Sequence, residues 1–153
     1  MPNSIIIKRL GAEVIEEYTA TAVAIKPGYL LEMASATTVQ AHSTAAGNVL
    51  PMFAIEDQFQ GKAITADYAV SVKIQCWIPR AGDVVYAYLA DGQSASVGDF
   101  LESNGAGALS VHAADASNVP VIGNAIVGEA LEAVDLTGSA NLTALGRIKV
   151  RIT

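Results

Sequence analysis

The chain has 153 residues, the usual length of one domain with a hydrophobic core. Its formal net charge of -6 argues against binding to DNA or RNA, because basic side chains must neutralise the phosphates. Cys76 is the single cysteine, which excludes an intrachain disulfide and a thiolate zinc cluster. Charged residues make up 16% of the chain and apolar residues 52%, so we expect part of the surface to be covered by other chains.

The N-terminal segment "SIIIKRL" is apolar and β-branched. It is either the first strand of its own domain or an extended arm, residues 1–12, that adds a strand to a neighbouring protein. In the second case the binding residues are Ile5, Ile6, Ile7, Lys8 and Arg9. No secretory signal and no apolar stretch of membrane-spanning length are found, so we expect synthesis in the cytoplasm and no membrane contact.

Helical patterns are short, and alternation with period two is the stronger signal. "GAEVIEEY" and "GSANLTALG" each predict at most a turn or two of helix. "YAVSVKIQCWI" predicts a strand with Trp77 on its polar face and Cys76 in the core. Its predicted buried face consists of Val70, Val72, Ile74, Cys76 and Ile78.

Two later segments also predict strands. "GDVVYAYLA" is apolar on both faces, which is typical of a central strand covered on each side. "RIKVRIT" turns Ile148, Val150 and Ile152 inward. The opposite side of that strand carries a cationic row, and we assign this row together with Trp77 to a subunit interface: Trp77, Arg147, Lys149 and Arg151.

The glycine-rich stretch "VGDFLESNGAGALSVH" raises the question of a phosphate-binding loop. It lacks the third glycine and the following helix of a dinucleotide site, and the chain has no Gly-Lys-Ser/Thr triplet. Asn104-Gly105 is instead a strong signal for the turn of a β-hairpin.

The two halves of the chain show a weak internal echo. "KPGYLLEM" and "FAIEDQ" in the first half resemble "SVGDFLES" and "GEALEAVD" in the second. The echo reflects either related β-modules of one barrel or chance. We therefore predict a mainly β fold: a single compact barrel-like or sandwich-like domain over residues 13–153, at most short helices, and a possible inserted subdomain at about residues 57–80.

Residues that could support catalysis are scattered. His42 and His112 lie in polar loops without metal-ligand spacing, and we predict that both are solvated. The pairs Glu16-Glu17 and Glu56-Asp57 are predicted to be solvated charges. Asp83 and Asp99 follow glycines before strands, where a carboxylate can accept backbone hydrogen bonds and shape the turn. We expect no catalytic residue, no metal, no cofactor and no enzymatic activity.

Four aromatic residues remain: Phe59, Trp77, Tyr86 and Tyr88. They could line a ligand groove or serve a subunit interface. The interface is favoured, because no ionisable cluster accompanies them.

The motifs "VGDFLES", the Asn-Gly turn, "IVGEALEAVD" and the closing "RIKVRIT" resemble the capsid decoration (cement) proteins of tailed bacteriophages. "KPGYLLE", "FAIEDQFQGKAI" and "RAGDVVYAYLADGQ" extend the resemblance over most of residues 20–153. It implies a head-stabilising virion protein on the outer capsid surface, a homotrimer at local threefold positions, and the major capsid protein as partner of the N-terminal arm. The alternatives are a carbohydrate-binding or small-ligand-binding β-barrel, and a hydrolase that uses His42 or His112.

Overall fold

The computed structural model describes residues 2–21, 24–113, 126–138 and 146–153, and the predicted mainly β fold is confirmed. The described elements are one short 3-10 helix, Gln58–Gln60, and thirteen strands. The strands are β1 Ile6–Lys8, β2 Val14–Ala20, β3 Leu31–Met33, β4 Thr38–Ala41, β5 Phe53–Ala54, β6 Lys73–Ile78, β7 Val84–Tyr88, β8 Ser94–Ala95, β9 Phe100–Ser103, β10 Leu109–Val111, β11 Ile126–Ala130, β12 Val134–Asp135 and β13 Arg147–Ile152.

The short helix predicted from "GAEVIEEY" is wrong. Val14 to Ala20 form β2, which pairs with β6 in antiparallel register from Val14↔Ile78 to Thr19↔Lys73. The pairing outweighs the weak helical pattern, because the β-branched Val14 and Ile15 favour a strand. The helix predicted from "GSANLTALG" falls almost entirely on residues outside those described.

The strands form two large sheets and one small one. The six-stranded sheet has the order β1-β7-β13-β11-β9-β10, and the five-stranded sheet has the order β3-β4-β2-β6-β5. The small sheet pairs β12 with β8. The pairing of β2 with β4 is parallel, whereas the other described strand pairs are antiparallel.

The two large sheets repeat one topology. In the first half β2, β6 and β5 are neighbours, a bridge Leu30↔Phe53 links β5 to β3, and β3 pairs with β4. In the second half the corresponding strands β7, β13, β11, β9 and β10 are neighbours in the same order. The bridge Leu89↔Leu109 corresponds to the pairing of β2 with β4 in the first half. The internal echo thus reflects two related β-modules. Each module relies on an isolated bridge at one junction, so the predicted barrel is not closed.

Backbone hydrogen bonds confirm the correspondence of the modules. The His42 amide donates to the Leu30 carbonyl at 2.9 Å, and the His112 amide donates to the Phe100 carbonyl at 2.8 Å. At the start of each hairpin Gly28 and Gly98 adopt the same left-handed conformation, with φ of 97° and 94°. Glycine is needed at both positions because side chains disfavour this backbone angle.

Two hydrophobic cores are arranged around β6. Ile74 and Cys76 point into the core of the first module. Trp77 points to the opposite face, where it joins the core of the second module and is fully buried. The prediction of a polar face at Trp77 is therefore wrong, because the core of the second module packs on this face of β6. Cys76 is a core residue as predicted.

The predicted central position of β7 and the predicted inward residues of β13 are confirmed. β7 lies between β1 and β13, and its residues Val84 to Ala87 are buried. In β13, Ile148, Val150 and Ile152 are buried in the core. The predicted inserted subdomain at residues 57–80 includes β6, which is a strand of the five-stranded sheet rather than part of a separate unit.

Candidate functional site

The N-terminal segment is a strand of its own sheet. Ile6 pairs with Val85, and the Tyr86 amide donates to the Ile5 carbonyl at 2.8 Å. The Glu56 carboxylate accepts hydrogen bonds from the Ile5 amide, at 3.0 Å, and from the Ser4 hydroxyl. The assignment of Ile5 to a capsid-binding arm is therefore corrected, because this side chain is fully buried in the core.

The other residues of the predicted arm are more accessible. Ile6 and Ile7 are partly buried, whereas Lys8 and Arg9 are exposed. Arg9 forms an ion pair with Glu13. For these four residues the predicted contact with a capsid protein stays a prediction.

The three basic residues of β13, Arg147, Lys149 and Arg151, differ in their exposure to solvent. Arg147 is 3% exposed, and its guanidinium donates to the carbonyls of Pro27 at 2.9 Å and Ile64 at 2.6 Å. Its Cζ atom lies 4.2 Å from the centroid of the Tyr88 ring. The subunit-interface assignments of Arg147 and Trp77 are corrected, because both side chains are buried within the chain.

Lys149 and Arg151 remain at the surface, where Lys149 pairs with Glu132 at 3.0 Å and Arg151 with Glu129 at 3.4 Å. The assignment of these two residues to an interface stays a prediction.

The glycine-rich loop is the turn of the β9–β10 hairpin, as predicted. The Asn104 side-chain oxygen accepts hydrogen bonds from the amides of Ala106, at 2.8 Å, and Ala108, at 3.1 Å. Gly105 and Gly107 have φ of 79° and 82°. A Cβ atom on Gly105 would lie 2.7 Å from the Ala45 amide nitrogen, so glycine allows the loop to dock on the first module.

His42 joins the two modules. Contrary to the prediction of a solvated side chain, it is 2% exposed, and its Nδ1 lies 2.7 Å from the Ser103 hydroxyl of the second module. Its Nε2 is 3.4 Å from the Asn48 carbonyl and 3.7 Å from the Glu32 carboxylate. Sequence reasoning missed this role because Ser103 lies on a hairpin of the other module.

The glutamate–histidine pair recurs in the second module. His112 Nδ1 lies 2.6 Å from the Glu102 carboxylate, at the position that corresponds to Glu32 and His42. Gly28, Leu31, Glu32 and His42 in fact recur at constant spacing as Gly98, Leu101, Glu102 and His112. This spacing was the sequence signal that could have identified the pairs.

The group of Ser103, His42 and Glu32 has the composition of a catalytic triad but not its accessibility. Ser103 is 1% exposed, and its hydroxyl also accepts a hydrogen bond from the Gly105 amide at 3.1 Å. A nucleophile must reach its substrate, so this geometry supports a structural role. Burial raises the pKa of the Cys76 thiol to about 12, which keeps it protonated and unreactive. Within the described ranges, no three His, Cys, Asp or Glu side chains are grouped to hold a metal ion.

Several carboxylates accept hydrogen bonds from backbone amides and so fix the local backbone conformation. Asp83 accepts hydrogen bonds from the amides of Leu10, at 2.7 Å, and Arg80, at 2.8 Å. Asp99 accepts one from the Ser96 amide at 2.8 Å, so the predicted turn-shaping role of both aspartates is confirmed. Asp57 is buried and caps the 3-10 helix, so the prediction of a solvated charge is wrong for this residue. In the same pair, Glu56 holds the N-terminal strand instead of pointing into solvent.

The Glu16-Glu17 pair fits its prediction better. Both side chains are exposed and diverge along β2. The Glu17 carboxylate accepts a hydrogen bond from the side-chain Nε2 of Gln75 at 3.0 Å. Glu16 accepts one from the Tyr18 hydroxyl, and this contact raises the pKa of Tyr18.

Glu32 should make the stability of the protein depend on pH. Partial burial raises its pKa, but hydrogen bonds from Ser43 at 2.6 Å and Gln40 at 2.7 Å outweigh that effect and bring the pKa below the ordinary 4.5. Because the folded-state pKa is depressed, the stabilisation is complete above the unfolded-state pKa and is lost as the pH falls through the folded-state pKa.

We expect Glu32→Gln to reduce the loss of unfolding free energy between about pH 5 and pH 3, measured by urea denaturation. Glu129→Gln at the exposed ion pair with Arg151 is the control. Identical pH profiles for the wild type and Glu32→Gln would contradict the assignment.

Phe59 and Tyr88, two of the aromatic residues singled out in the sequence, line surface hollows. The first, of about 410 Å³, is lined by Ile15, the fully exposed Phe59 and acidic groups that include Glu13. The second, of about 340 Å³, is lined by Tyr29 and Tyr88, whose ring centroids are 5.3 Å apart in an edge-to-face arrangement. Of the four aromatic residues singled out in the sequence, Trp77 and Tyr86 are buried, and Phe59 and Tyr88 lie in different hollows.

Comparison with solved structures identifies a similar fold. The N base of the head fibre gp8.5 of bacteriophage phi29 matches 93% of this chain, and the match covers 95% of that chain, with a TM-score of 0.54 and 16% sequence identity. The chain thus resembles a phage head-fibre base in fold. No protein-family model and no curated protein matches its sequence. No helix in the described part of the chain is long and apolar enough to span a membrane.

Proposed function

We propose that the chain is a structural protein of a bacteriophage head that binds the outer surface of the shell through the major capsid protein. The observation that carries the proposal is the likeness in fold to the phi29 head-fibre base over nearly the whole of both chains. The resemblance of "VGDFLES" and "RIKVRIT" to decoration proteins supports the same class from the sequence. In this role the protein needs no enzymatic activity, cofactor, nucleic acid or membrane.

The proposed mechanism is burial of apolar surface between neighbouring capsid subunits. Apolar area removed from water contributes about 25 cal/mol per Å², less the cost of association. Phe59 and Ile15 line one hollow and expose apolar surface that the fold of the single chain leaves uncovered. We further propose that three copies form a homotrimer at local threefold positions, which multiplies these contacts and clamps adjacent subunits.

Binding to empty shells tests the proposal directly. The shells are assembled from the major capsid protein of the same genome, and the purified chain is added before sedimentation. We expect the chain to sediment with the shells and to appear on their outer surface by cryo-electron microscopy. Light scattering should give a mass of three times 15.8 kDa. A chain that stays in the supernatant would overturn the function, and a monomer on the shell would overturn the trimer alone.

Substitution of Phe59 tests the apolar contact. Phe59→Ser should weaken shell binding or trimer formation about tenfold, because a buried aromatic anchor commonly contributes more than about 1 kcal/mol to an interface. The melting temperature should not change, since the side chain is exposed in the single chain. Val97→Ser removes an exposed apolar side chain from the second module and is the matched control. Equal binding by both variants would exclude Phe59 from the contact.

The hollow at Tyr29 and Tyr88 favours a second candidate, a carbohydrate-binding module. Asp91 and Asn104 line the same hollow and supply the polar groups that sugar hydroxyls require. Titration with neutral mono- and disaccharides should then shift the amide NMR signals of Tyr88 and Asn104, and Tyr88→Ala should abolish the shifts. An unchanged spectrum with every sugar would dismiss this candidate.

A further inference from the structure

The internal repeat creates two equivalent strand edges, and the residues that the structure describes cover only one of them. In the second module β1 pairs with the outer edge of β7 at Val84 and Val85. In the first module the partners of β2 among the described residues are β6, along its length, and β4, which reaches only Thr19 and Ala20. The N-terminal half of β2 therefore presents an open edge, defined here as Ile15–Glu17.

The register identifies the equivalent residues. In the first module Ala54 of β5 pairs with Cys76 of β6, and in the second module Ala130 of β11 pairs with Val150 of β13. Because β5 corresponds to β11 and β6 to β13, Cys76 is the counterpart of Val150. Glu16 pairs with Cys76, and Val85 pairs with Val150. Glu17 is therefore the counterpart of Tyr86, whose amide donates to the Ile5 carbonyl of β1.

The peptide groups of the open edge point away from β6. The Ala20 amide donates to Val72 beside β6, whereas the Thr19 amide donates to Thr37 on the opposite side. Because peptide groups alternate in direction along a strand, the amides of Ile15 and Glu17 point to the same side as that of Thr19. The open edge thus offers backbone donors and acceptors in the pattern that holds β1 on β7.

The surface of the open edge suits a particular kind of strand. Ile15 is 39% exposed, and its neighbour Val14 is 37% exposed. Glu13, Glu16 and Glu17 lie along this edge, and their charge exceeds that of the two cations paired with them, Arg9 with Glu13 and Lys73 with Glu17 at 3.9 Å. The strand on the equivalent edge of β7 belongs to the segment "SIIIKRL", which is apolar and basic. The same chemistry would complement the acidic edge of β2.

The N-terminal segment of the same chain does not supply this strand. Each chain has one N-terminal segment of this type, and the segment is already held on β7 by backbone pairing and by the burial of Ile5. We propose that an extended apolar and basic segment of a neighbouring head protein adds to the open edge of β2 as a further strand. The existence of the edge follows from the internal repeat, and the identity of the partner rests on the proposed function.

A synthetic peptide tests the edge without knowledge of the partner. The probe is PNSIIIKRLG, the sequence of residues 2–11, titrated into the full ¹⁵N-labelled chain. We expect chemical-shift changes and slower amide hydrogen exchange at Ile15 and Glu17, and weaker binding by a peptide with Glu in place of Lys and Arg. No protection at these amides, or changes confined to Val84–Tyr86 through exchange with the resident β1, would overturn the proposal.

Two substitutions at one position separate backbone pairing from side-chain contacts. Glu17→Pro removes the backbone N–H that points away from β6 and should weaken peptide binding by about tenfold or more. One hydrogen bond to the peptide is lost, and the proline ring obstructs the pairing of the added strand. Glu17→Ala keeps the amide and should bind within about threefold of the wild type. Equal binding by the two variants would overturn the proposal. If Glu17→Pro fails to fold, amide exchange in the wild type decides alone.

The same variants distinguish this inference from the proposed function. If Glu17→Ala and Glu17→Pro bind shells equally well and the wild type does not bind the peptide, the proposed function stands. The open edge is then not a binding site. If the chain binds the peptide but not the shells, the open edge is a binding site, and its partner is not a head protein.

Discussion

Deletion of residues 1–10 should abolish cooperative folding. The deletion removes Ile5 from the core, strand β1 from the edge of β7, and the two groups that bind the Glu56 carboxylate. Truncation of a buried isoleucine to alanine alone costs about 2–5 kcal/mol, so we expect Ile5→Ala to lower the free energy of unfolding by about 3 kcal/mol. Urea denaturation followed by tryptophan fluorescence measures this change, because Trp77 belongs to the same core.

Arg9→Ala is the control for the deletion. Arg9 is exposed and pairs only with the nearby Glu13 among the described residues, so its loss should change the free energy of unfolding by less than about 0.5 kcal/mol. A truncated chain that unfolds at the same urea concentration as the wild type would show that the segment is a dispensable arm. That result would restore the interpretation in which the segment serves another protein alone.

Replacement of Arg147 should have the second largest effect. Arg147→Ala leaves the carbonyls of Pro27 and Ile64 without their buried donor and removes the cation from the face of Tyr88. Loss of one partner from a buried charged network costs about 3–5 kcal/mol, and we expect about 4 kcal/mol here. The two carbonyls belong to the first module and Arg147 to the second, so the variant should also loosen the joint between the modules.

Two further variants test the cause of this effect. Arg147→Met keeps much of the packing but no donor, and we expect it to recover less than half of the lost stability. Arg151→Ala, at the exposed ion pair with Glu129, should cost less than about 1 kcal/mol. Equal stability of Arg147→Ala and Arg151→Ala in thermal unfolding would refute the role of Arg147 as a buried joint.

The elements that could be predicted were those with a local physical cause. Alternation of side chains on opposite faces has period two in any strand, so "RIKVRIT" indicated the inward positions of Ile148, Val150 and Ile152. The β9–β10 turn forms from local features, because the Asn104 side chain accepts a backbone hydrogen bond and Gly105 tolerates a positive φ. The aspartates that precede strands, such as Asp83, bind nearby amides for the same reason.

Other assignments depended on contacts between distant parts of the chain. Trp77 lies among polar neighbours in its strand, but the second module covers that face and buries it. His42 occupies a polar loop, yet its partner Ser103 comes from the other module. The open edge at Ile15–Glu17 was invisible in the sequence, where the same residues suggested a helix.

The sequence by itself determined the β class, the central position of β7 and the hairpin turn, because side-chain period and turn chemistry act over a few residues. Only the tertiary structure decided that Arg147 and His42 join the modules and that no described strand pairs with the N-terminal half of β2 on the side away from β6. These features depend on contacts between distant segments, and local sequence cannot identify the partners of a buried side chain or of a strand edge.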